Sequence, residues 1–417
     1  LALGTEDYEG GDPAVFNMAV MGLRLAQRAN GVSKLHGDVS RGMFGALWEG
    51  FDQDDVPITS VTNGVHAPTW TDPLMVTLAK EKLDTYATSA CDWTSEAVSD
   101  ADLWSVRRAM RQQLVTDARE RVTAAWAEQN PGVAAPSWMG ELLDPDVLTI
   151  GFARRVPTYK RLTLMLHDPE RLRALLTHPE RPVQLVIAGK SHPADDSGKA
   201  LIQKLVQFAA EPELRRRIVF LPNYDIGMAR LLYPGTDIWL NNPLRPLEAC
   251  GTSGMKAALN GSLNLSILDG WWNEYYDAEN GWAIPTADAA GDGAERDKLD
   301  AEAMYDLIEH QIAPRYYDRD AEGLPRRWLQ SIRHTLATLS PELSADRMVR
   351  EYVERLYVPA AHAERAITAD GYRPARELAA WKSRVVGEWP QVAVTHVESG
   401  GVQSPQVGDE LKVRAHV

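Results

Sequence analysis

The most informative stretch of this 417-residue chain is Glu248-Ala-Cys-Gly-Thr-Ser-Gly-Met-Lys-Ala-Ala-Leu-Asn-Gly261. It follows an apolar segment at residues 237–241 with the pattern of a buried strand, and a helical pattern begins near Ser253. A glycine-rich turn from a strand into a helix leaves backbone N–H groups unpaired at the positive end of the helix dipole. The stretch therefore predicts an anion site, above all for phosphate.

A carboxylate and an amine flank this predicted phosphate site. Glu248 lies just before the glycine-rich turn, and Lys256 follows in the first turn of the predicted helix. A lysine amine can form a Schiff base with an aldehyde, and an aldehyde cofactor that carries phosphate needs a cradle beside that lysine. The combination predicts that Lys256 holds pyridoxal phosphate.

Short apolar segments alternate with helical patterns on both sides of this stretch. Strands are predicted at residues 147–152, 183–188, 218–221, 237–240 and 263–267, and helices at residues 161–176, 197–210, 226–232 and 253–259. This alternation predicts an α/β fold with a doubly wound parallel sheet, in which ligands bind at the carboxyl ends of the strands. The chemically suggestive residues all follow predicted strands: Arg154, Arg155, Lys190, Tyr224 and the segment 248–256.

Three cations follow the first of these strands within seven positions: Arg154, Arg155 and Lys160. The dipole disfavours cations at the amino terminus of a helix, so three of them beside one favour a bound anion. A guanidinium can bind phosphate through two donors. The alternative interpretation is a solvated run of charge at a helix start.

The composition excludes several classes of protein. Charged residues make up 24% of the chain, hydrophobic residues 44%, and the net charge is -14, which argues against nucleic acid or an anionic membrane as the main partner. No apolar run is long enough to span a membrane. Two cysteines, Cys91 and Cys250, exclude a disulfide framework and predict a reducing, cytoplasmic location. We predict no metal site from this sequence.

The cofactor-lysine stretch resembles that of the α-glucan (glycogen or maltodextrin) phosphorylases, in which this lysine holds pyridoxal phosphate. Further segments occur in that family's order: Asn30-Gly-Val-Ser-Lys-Leu-His36, Thr62-Asn-Gly-Val-His-Ala-Pro-Thr-Trp70, Gly151-Phe-Ala-Arg-Arg-Val-Pro-Thr-Tyr-Lys-Arg161, Ala188-Gly-Lys190 and Asn223-Tyr224. The similarity runs from about residue 14 to about residue 360 and is closer to the bacterial branch. It implies the second domain of a two-Rossmann-domain glycosyltransferase B fold. The implied activity is phosphorolysis of an α-1,4-glucan to glucose 1-phosphate with retention of configuration.

The resemblance also implies roles for residues of the predicted site. Arg155 would contact the substrate phosphate, and Arg154 and Lys160 would lie at the cofactor and its phosphate. Thr252 and Gly251 would hold the cofactor phosphate, because glycine lets the backbone approach closely. These roles make Lys256, Arg154, Arg155, Lys160 and Glu248 the predicted catalytic set.

Other residues match family positions at the sugar and around the cofactor. The residues assigned to the substrate are Arg155, Glu248, Tyr159, His36 and Asn63. Trp70 and Tyr224 match residues that pack around the cofactor, although buried aromatic side chains are more often structural. Asp225 departs from the pattern of the animal enzymes, where an arginine follows the tyrosine, so one cation of the implied phosphate pocket is missing from this position.

The predicted domains follow from the same patterns. Residues 1–62 would end an amino-terminal glycosyltransferase domain, residues 63–345 would form the cofactor and phosphate domain, residues 346–390 a helical tail, and residues 391–417 the start of a further β domain. The chain begins with Leu1, and its motifs belong to the carboxyl-terminal half of a phosphorylase. We therefore expect a carboxyl-terminal portion of a longer enzyme, with α-glucan and inorganic phosphate as partners and with a homodimer left open.

Two alternatives compete with this interpretation. A nucleotide-sugar-dependent glucosyltransferase such as glycogen synthase has the same two-domain architecture, but commonly carries two glutamates separated by seven residues. Here Glu248 is followed at that spacing by Lys256, an amine where a ribose-binding acid is expected. A non-catalytic, glucan-binding homologue is the other alternative, and the complete set of lysine and arginine residues argues against it.

Overall fold

Six parallel strands form the central sheet of the computed structural model, which describes residues 2–155, 161–190, 194–288, 293–400, 406–407 and 410–417. The strands in chain order are β1 (Ala29–Gly31), β2 (Ile58–Ser60), β3 (Leu148–Arg155), β4 (Val183–Lys190), β5 (Ile218–Pro222), β6 (Ile238–Asn241), β7 (Leu263–Ile267), β8 (Gly281–Ile284), β9 (His396–Gly400) and β10 (Lys412–His416). The helices are α1 (Met18–Leu25), α2 (Lys34–Phe44), α3 (Ala67–Trp70), α4 (Pro73–Leu83), α5 (Asp100–Gln129), α6 (Pro169–Leu176), α7 (Asp196–Ala209), α8 (Ile226–Gly235), α9 (Thr252–Ala258), α10 (Trp272–Tyr275), α11 (Gly293–Leu307), α12 (Ala313–Tyr317), α13 (Arg326–Glu342), α14 (Ala345–Tyr352) and α15 (Val358–Glu388).

The strand order of the central sheet is β5-β4-β3-β6-β7-β8, and all neighbours are parallel. Ile150 of β3 pairs with Leu185 on one side and with Ile238 on the other. The chain builds outward from β3 in one direction, then returns to β6 and builds in the other direction. The order therefore reverses between β3 and β6, where open α/β sheets bind ligands at the carboxyl ends of the strands. The predicted α/β fold with a doubly wound parallel sheet is confirmed.

The sheet is buried on both faces, which explains why its strands are nearly continuous apolar runs. Along β4, Leu185 and Ile187 belong to a core cluster that includes residues of α4, α6 and α13. Val186 and Ala188, which point to the opposite face, belong to a cluster with residues of α5 and α8. Two layers of helices therefore hold the strand ends of the sheet in fixed positions.

The predicted helix at residues 161–176 is wrong in its first half. Residues 164–166 form a short 3-10 turn, and α6 begins only at Pro169. Asp168 ends the preceding segment and caps α6, because its Oδ1 accepts a hydrogen bond from the Arg171 N–H at 2.9 Å. Strand β8 was not predicted at all, since its four residues give too short a pattern.

Residues 1–352 form one compact unit, and residues 353–417 form a second. The second unit contains α15 and an antiparallel pair of strands, β9 and β10, in which His396 pairs with His416. The domain boundaries predicted from the sequence stay predictions. Within the described part of the chain, no helix is both long and apolar enough to cross a membrane.

Two fully buried arginines of α5 bind the amino edge of the sheet, which is the edge at which the parallel strands begin. Arg107 donates to the backbone carbonyls of Pro234 at 2.6 Å and Asn260 at 2.7 Å. Arg111 donates to Asp237 Oδ1 at 2.7 Å, and both side chains are 0% exposed. These bonds join α5 to the turn before β6 and to the end of the segment that carries α9. They therefore hold β6 and α9 in place, and the candidate site lies between these two elements at the opposite edge of the sheet.

Candidate functional site

The candidate site lies at the carboxyl ends of β3 and β6, where the chain continues from β6 toward α9. Gly251 directly precedes α9 and has a φ of 88°, in the left-handed region that favours glycine. A Cβ atom at this position would lie 3.4 Å from the Glu248 side chain. The turn therefore packs against Glu248, and the positive φ disfavours any residue other than glycine at position 251.

Arg154 and Glu248 form a buried ion pair across this edge of the sheet. Arg154 Nη1 lies 3.0 Å from Glu248 Oε2, and the two side chains are 7% and 8% exposed. Arg154 Nη2 is buried and has no hydrogen-bond acceptor among the described residues. A buried donor without an acceptor is costly. A phosphate oxygen at Nη2 would complete the bonding of this guanidinium.

The Lys256 amine lies against aromatic rings. Its Nζ atom is 4.2 Å from the ring centre of Trp70 and 5.6 Å from that of Tyr233. Burial lowers the pKa of Lys256 from its ordinary value of 10.5, because poorly hydrated surroundings disfavour the ammonium form. The lowered pKa increases the fraction of neutral amine, which is the nucleophilic form.

A pair of tyrosines connects Lys256 with Arg154. The hydroxyl oxygens of Tyr224 and Tyr233 are 2.6 Å apart, and the Tyr233 ring packs edge-on against Trp70 at 5.6 Å. Burial raises the pKa of both tyrosines, while the positive charge of Arg154 opposes that rise. The predicted residues Arg154, Tyr224, Trp70 and Lys256 are thus brought together.

Asn260 fixes Trp70 relative to the helix that carries Lys256. Its Nδ2 donates to the Trp70 carbonyl at 2.8 Å and to the Lys256 carbonyl at 2.9 Å. Its Oδ1 accepts from the Asp72 N–H at 2.7 Å. Sequence analysis missed Asn260, because a polar residue at the end of a short helix carries no signal of these contacts.

His36 and Asn63 also lie close to the segment that contains Glu248. His36 Nδ1 accepts from the Val32 N–H at 3.1 Å, so the neutral ring carries its proton on Nε2, and burial lowers the pKa of His36. The Asn63 N–H donates to the Val32 carbonyl at 3.0 Å. The Ser33 hydroxyl donates to the Ala249 carbonyl at 2.7 Å and so joins the His36 segment to the Glu248 segment. Burial raises the pKa of Cys250, in the Glu248 segment, to about 12.

Asp269 holds the backbone of Glu248 in place. Its Oδ2 accepts from the Glu248 N–H at 3.0 Å, and its Oδ1 accepts from the Gly270 N–H at 2.8 Å. Burial raises the pKa of Asp269 to about 6. Asp269 follows β7 in the same way that the predicted residues follow their strands, so this position was available as a signal in the sequence.

Several predicted site residues have no described side chain. Tyr159 and Lys160 lie outside the described residues. Arg155 closes β3, and only its backbone is described. Thr252 is the first residue of α9 and is half-buried. The roles of these residues, and of the site residues described above, stay predictions.

Asp225, which departs from the animal pattern, caps a helix. Its Oδ1 accepts from the Met228 N–H at 2.8 Å, and α8 begins at the next residue, Ile226. An aspartate at this position satisfies a backbone donor and favours the positive end of the helix dipole. The replacement therefore has a structural reason.

A group with metal-ligand spacing occurs in the described part of the chain, at Asp306, Glu309 and His310. Arg171 pairs with Glu309 at 2.6 Å and with Asp306 at 2.5 Å. The carboxylates are thus engaged by a guanidinium, and we assign no metal to them.

Comparison with known proteins points to the same family as the sequence motifs. A sequence profile of the carbohydrate phosphorylases matches residues 8–278. Glycogen phosphorylase of Mycobacterium tuberculosis is 56% identical over 420 residues, which cover 100% of this chain and 48% of the relative. Glycogen phosphorylase of Aquifex aeolicus is 41% identical over 362 residues, covering 86% of this chain and 51% of the relative. Maltodextrin phosphorylase of Thermococcus litoralis is 36% identical over 387 residues, covering 92% of this chain and 45% of the relative.

The chain spans about half the length of these curated relatives. The profile match nevertheless covers more than half of the chain, and it includes both the β3 strand end and the α9 segment. The resemblance predicted from the sequence is confirmed: this chain belongs to the carbohydrate phosphorylase family.

Proposed function

We propose that the protein containing this chain is an α-glucan phosphorylase, which cleaves an α-1,4-glucan with inorganic phosphate and releases glucose 1-phosphate with retention of configuration. The observation that carries the proposal is the placement of the Lys256 amine and the buried Arg154–Glu248 pair at the same edge of the sheet, with the Tyr224–Tyr233 pair between them. Family membership supports the same activity. The glucan, the phosphate, a homodimer and a cytoplasmic location all stay proposals for the whole protein.

The described residues fit pyridoxal phosphate. Lys256 offers an amine with a lowered pKa against the Trp70 ring. The open Nη2 of Arg154 can donate to a phosphate oxygen, and Gly251 and Thr252 would lie at the phosphate. Tyr224 would pack against the cofactor. When bound, the cofactor would supply a second phosphate that can exchange a proton beside the substrate phosphate.

The remaining residues would hold the substrates. Arg155 and Lys160 would neutralise the two phosphates, because two anions in contact need several cations. Glu248 would accept hydrogen bonds from sugar hydroxyls. His36 would donate through Nε2–H, since its Nδ1 already accepts from Val32.

Covalent capture of the cofactor tests this proposal. Borohydride reduction of the natural full-length protein with pyridoxal phosphate, followed by peptide mass mapping, should tag the peptide that contains Lys256. The Lys256→Ala variant should lose both the tag and the release of glucose 1-phosphate from glycogen and phosphate. Lys190→Ala, which removes an exposed lysine at the end of β4, is the matched control and should keep the tag.

Two results would contradict the proposal. If the reduced cofactor were attached to another lysine in folded wild-type protein, Lys256 would not be the cofactor lysine. Glucosyl transfer from a nucleotide sugar without any use of inorganic phosphate would instead support a glycogen synthase-like enzyme.

A further inference from the structure

We propose that Glu274 is a positioning residue that holds the segments carrying His36 and Asn63 against the Glu248 segment. Glu274 belongs to α10, and its side chain is only 4% exposed. The Thr62 hydroxyl donates to Glu274 Oε1 at 2.6 Å. The Lys34 amine lies 3.5 Å from Glu274 Oε2. One buried carboxylate therefore contacts two segments that are far apart in sequence.

Both contacts of Glu274 are adjacent to predicted sugar-binding residues. Thr62 directly precedes Asn63, and Lys34 is the first residue of α2, which also carries His36. Val32 already joins these segments, because its carbonyl accepts from the Asn63 N–H at 3.0 Å and its N–H donates to His36 at 3.1 Å. The two segments thus form one unit, which Glu274 attaches to α10.

The start of α10 is itself tied to the Glu248 segment. The Trp271 N–H donates to the Cys250 carbonyl at 2.9 Å. A separate contact joins the His36 segment to the same place, since the Ser33 hydroxyl donates to the Ala249 carbonyl at 2.7 Å. These two hydrogen bonds form a joint between the His36 segment, the Glu248 segment and α10, and Cys250, only 5% exposed, belongs to this joint.

The two contacts of Glu274 differ in strength. Lys34 is 71% exposed, and solvent screens such ion pairs so well that they contribute little. The Thr62 bond is buried and charge-assisted, which makes it the stronger contact. Arg347 holds the same segment from another side, donating to the carbonyls of Thr62 at 2.8 Å and Asn63 at 3.1 Å. Loss of the Thr62 bond should therefore loosen the joint without releasing it.

Alkylation of Cys250 tests whether Glu274 holds the joint, and it does not depend on catalysis. In the full-length protein, Thr62→Val should raise the rate of Cys250 modification by N-ethylmaleimide about ten-fold. Loss of one charge-assisted hydrogen bond should make opening of the joint more favourable by about that factor. Thr62→Ser keeps the hydroxyl and should restore the wild-type rate. The matched control is Thr59→Val, an exposed threonine of β2. Peptide mapping also gives the modification rate of the half-buried Cys91, which serves as the internal reference.

A second measurement tests the effect on substrate, and this part rests on the proposed function. Thr62→Val and Glu274→Ala should raise the KM for glucose 1-phosphate in the synthetic direction while kcat changes less, because His36 and Asn63 lose position and not chemistry. Adding Thr62→Val to the Glu274→Ala variant should change the KM little further, because both substitutions break the same hydrogen bond between Thr62 and Glu274.

The outcomes separate this inference from the proposed function. A Cys250 rate in Thr62→Val within two-fold of wild type, or an equal rise at Cys91, would overturn the positioning role. So would a raised Cys250 rate with an unchanged KM. If the wild-type protein shows no phosphorolysis, the proposed function fails, while the alkylation rates still decide whether Glu274 holds the joint.

Discussion

Two buried arginine–carboxylate pairs lie at opposite edges of the same sheet. At the amino edge, Arg111 and Asp237 approach to 2.7 Å and are 0% exposed. At the carboxyl edge, Arg154 and Glu248 approach to 3.0 Å and are 7% and 8% exposed. Burial and distance are so similar that neither quantity distinguishes a structural pair from one in a candidate site.

The surroundings of the two pairs are what differ. The Arg111 guanidinium lies 4.6 Å from the Trp104 ring centre, and the second oxygen of Asp237 accepts from the Thr149 N–H at 3.0 Å. Arg111 Nη2 also lacks an acceptor, but the aromatic ring offers its charge a favourable surface. Groups with shifted pKa values lie at both pairs, including Tyr316 beside Arg111 and Tyr224 beside Arg154. The carboxyl edge differs because it also holds the Lys256 amine, whose pKa is lowered by burial, and a nucleophile with a shifted pKa marks a functional site better than an ion pair does.

A cavity also lies at the edge of the sheet opposite the candidate site. A cavity of about 710 Å³ lies near the amino ends of β3 and β4, where Pro145 and Pro182 line it. Both of these charged lining contacts are already made within the chain: Arg119 donates to two backbone carbonyls at 2.8 Å, and Arg216 pairs with Glu141 at 3.0 Å. We therefore place no function there.

The largest expected effect comes from breaking the amino-edge pair. Arg111→Met should lower the free energy of unfolding by about 3–5 kcal/mol, because it leaves the buried Asp237 carboxylate without its closest cation. Urea denaturation followed by far-UV circular dichroism measures this change. Arg108→Met is the matched control: Arg108 pairs with Asp146 on the surface, where the side chains are 48% and 59% exposed, and its loss should cost at most about 1 kcal/mol. Equal losses in the two variants would mean that burial of the pair does not matter.

Asp269 should make the carboxyl edge sensitive to pH. Its pKa of about 6 in the folded protein exceeds the ordinary value of 3.8, so the folded state binds the proton more tightly. Stability linked to this group is therefore present at low pH and is lost as the pH rises through about 6. Relative to Asp269→Asn, the wild type should gain about 2–2.5 kcal/mol between pH 7 and pH 4.

Urea denaturation at several pH values gives this difference directly. Asp54→Asn, which removes an exposed aspartate, controls for the loss of one charge. If the wild type instead lost stability relative to Asp269→Asn as the pH fell, the direction of the pKa shift would be wrong.

The sequence predicted the sheet and much of the carboxyl edge, and the reason is local. Parallel strands buried on both faces are apolar runs, and the residues that follow them meet at one edge. The pairings themselves join distant positions: Arg111 and Asp237 are 126 residues apart, and Arg154 and Glu248 are 94 apart. No local pattern encodes such contacts. Glu274 and Asn260 were missed for the same reason, since their partners come from elsewhere in the chain.

Breaking the carboxyl-edge pair should weaken cofactor binding as well as folding. Arg154→Met should weaken the binding of pyridoxal phosphate to the full-length protein by roughly ten- to hundred-fold, or about 1.5–3 kcal/mol, by loss of a charge-assisted contact. Fluorescence titration measures the dissociation constant. Arg111→Met, tested at a temperature where it stays folded, should bind the cofactor nearly as the wild type does. The reverse ranking would transfer the anion site to the amino edge.

The smallest effect concerns the aromatic ring over Lys256. Trp70→Leu should admit water to the amine, so the pKa of Lys256, which burial lowers, should move back toward 10.5. The lost ring contact favours the ammonium by only about 0.5–1 kcal/mol and opposes the change, so the net rise should stay below about one unit. The pH dependence of Lys256 acetylation, read by peptide mapping, gives this shift, with exposed Lys204 as the reagent control. Trp70→Phe keeps a ring and should shift the pKa less. A fall in the pKa of Lys256 in Trp70→Leu would mean that the ring stabilises the ammonium more than it excludes water.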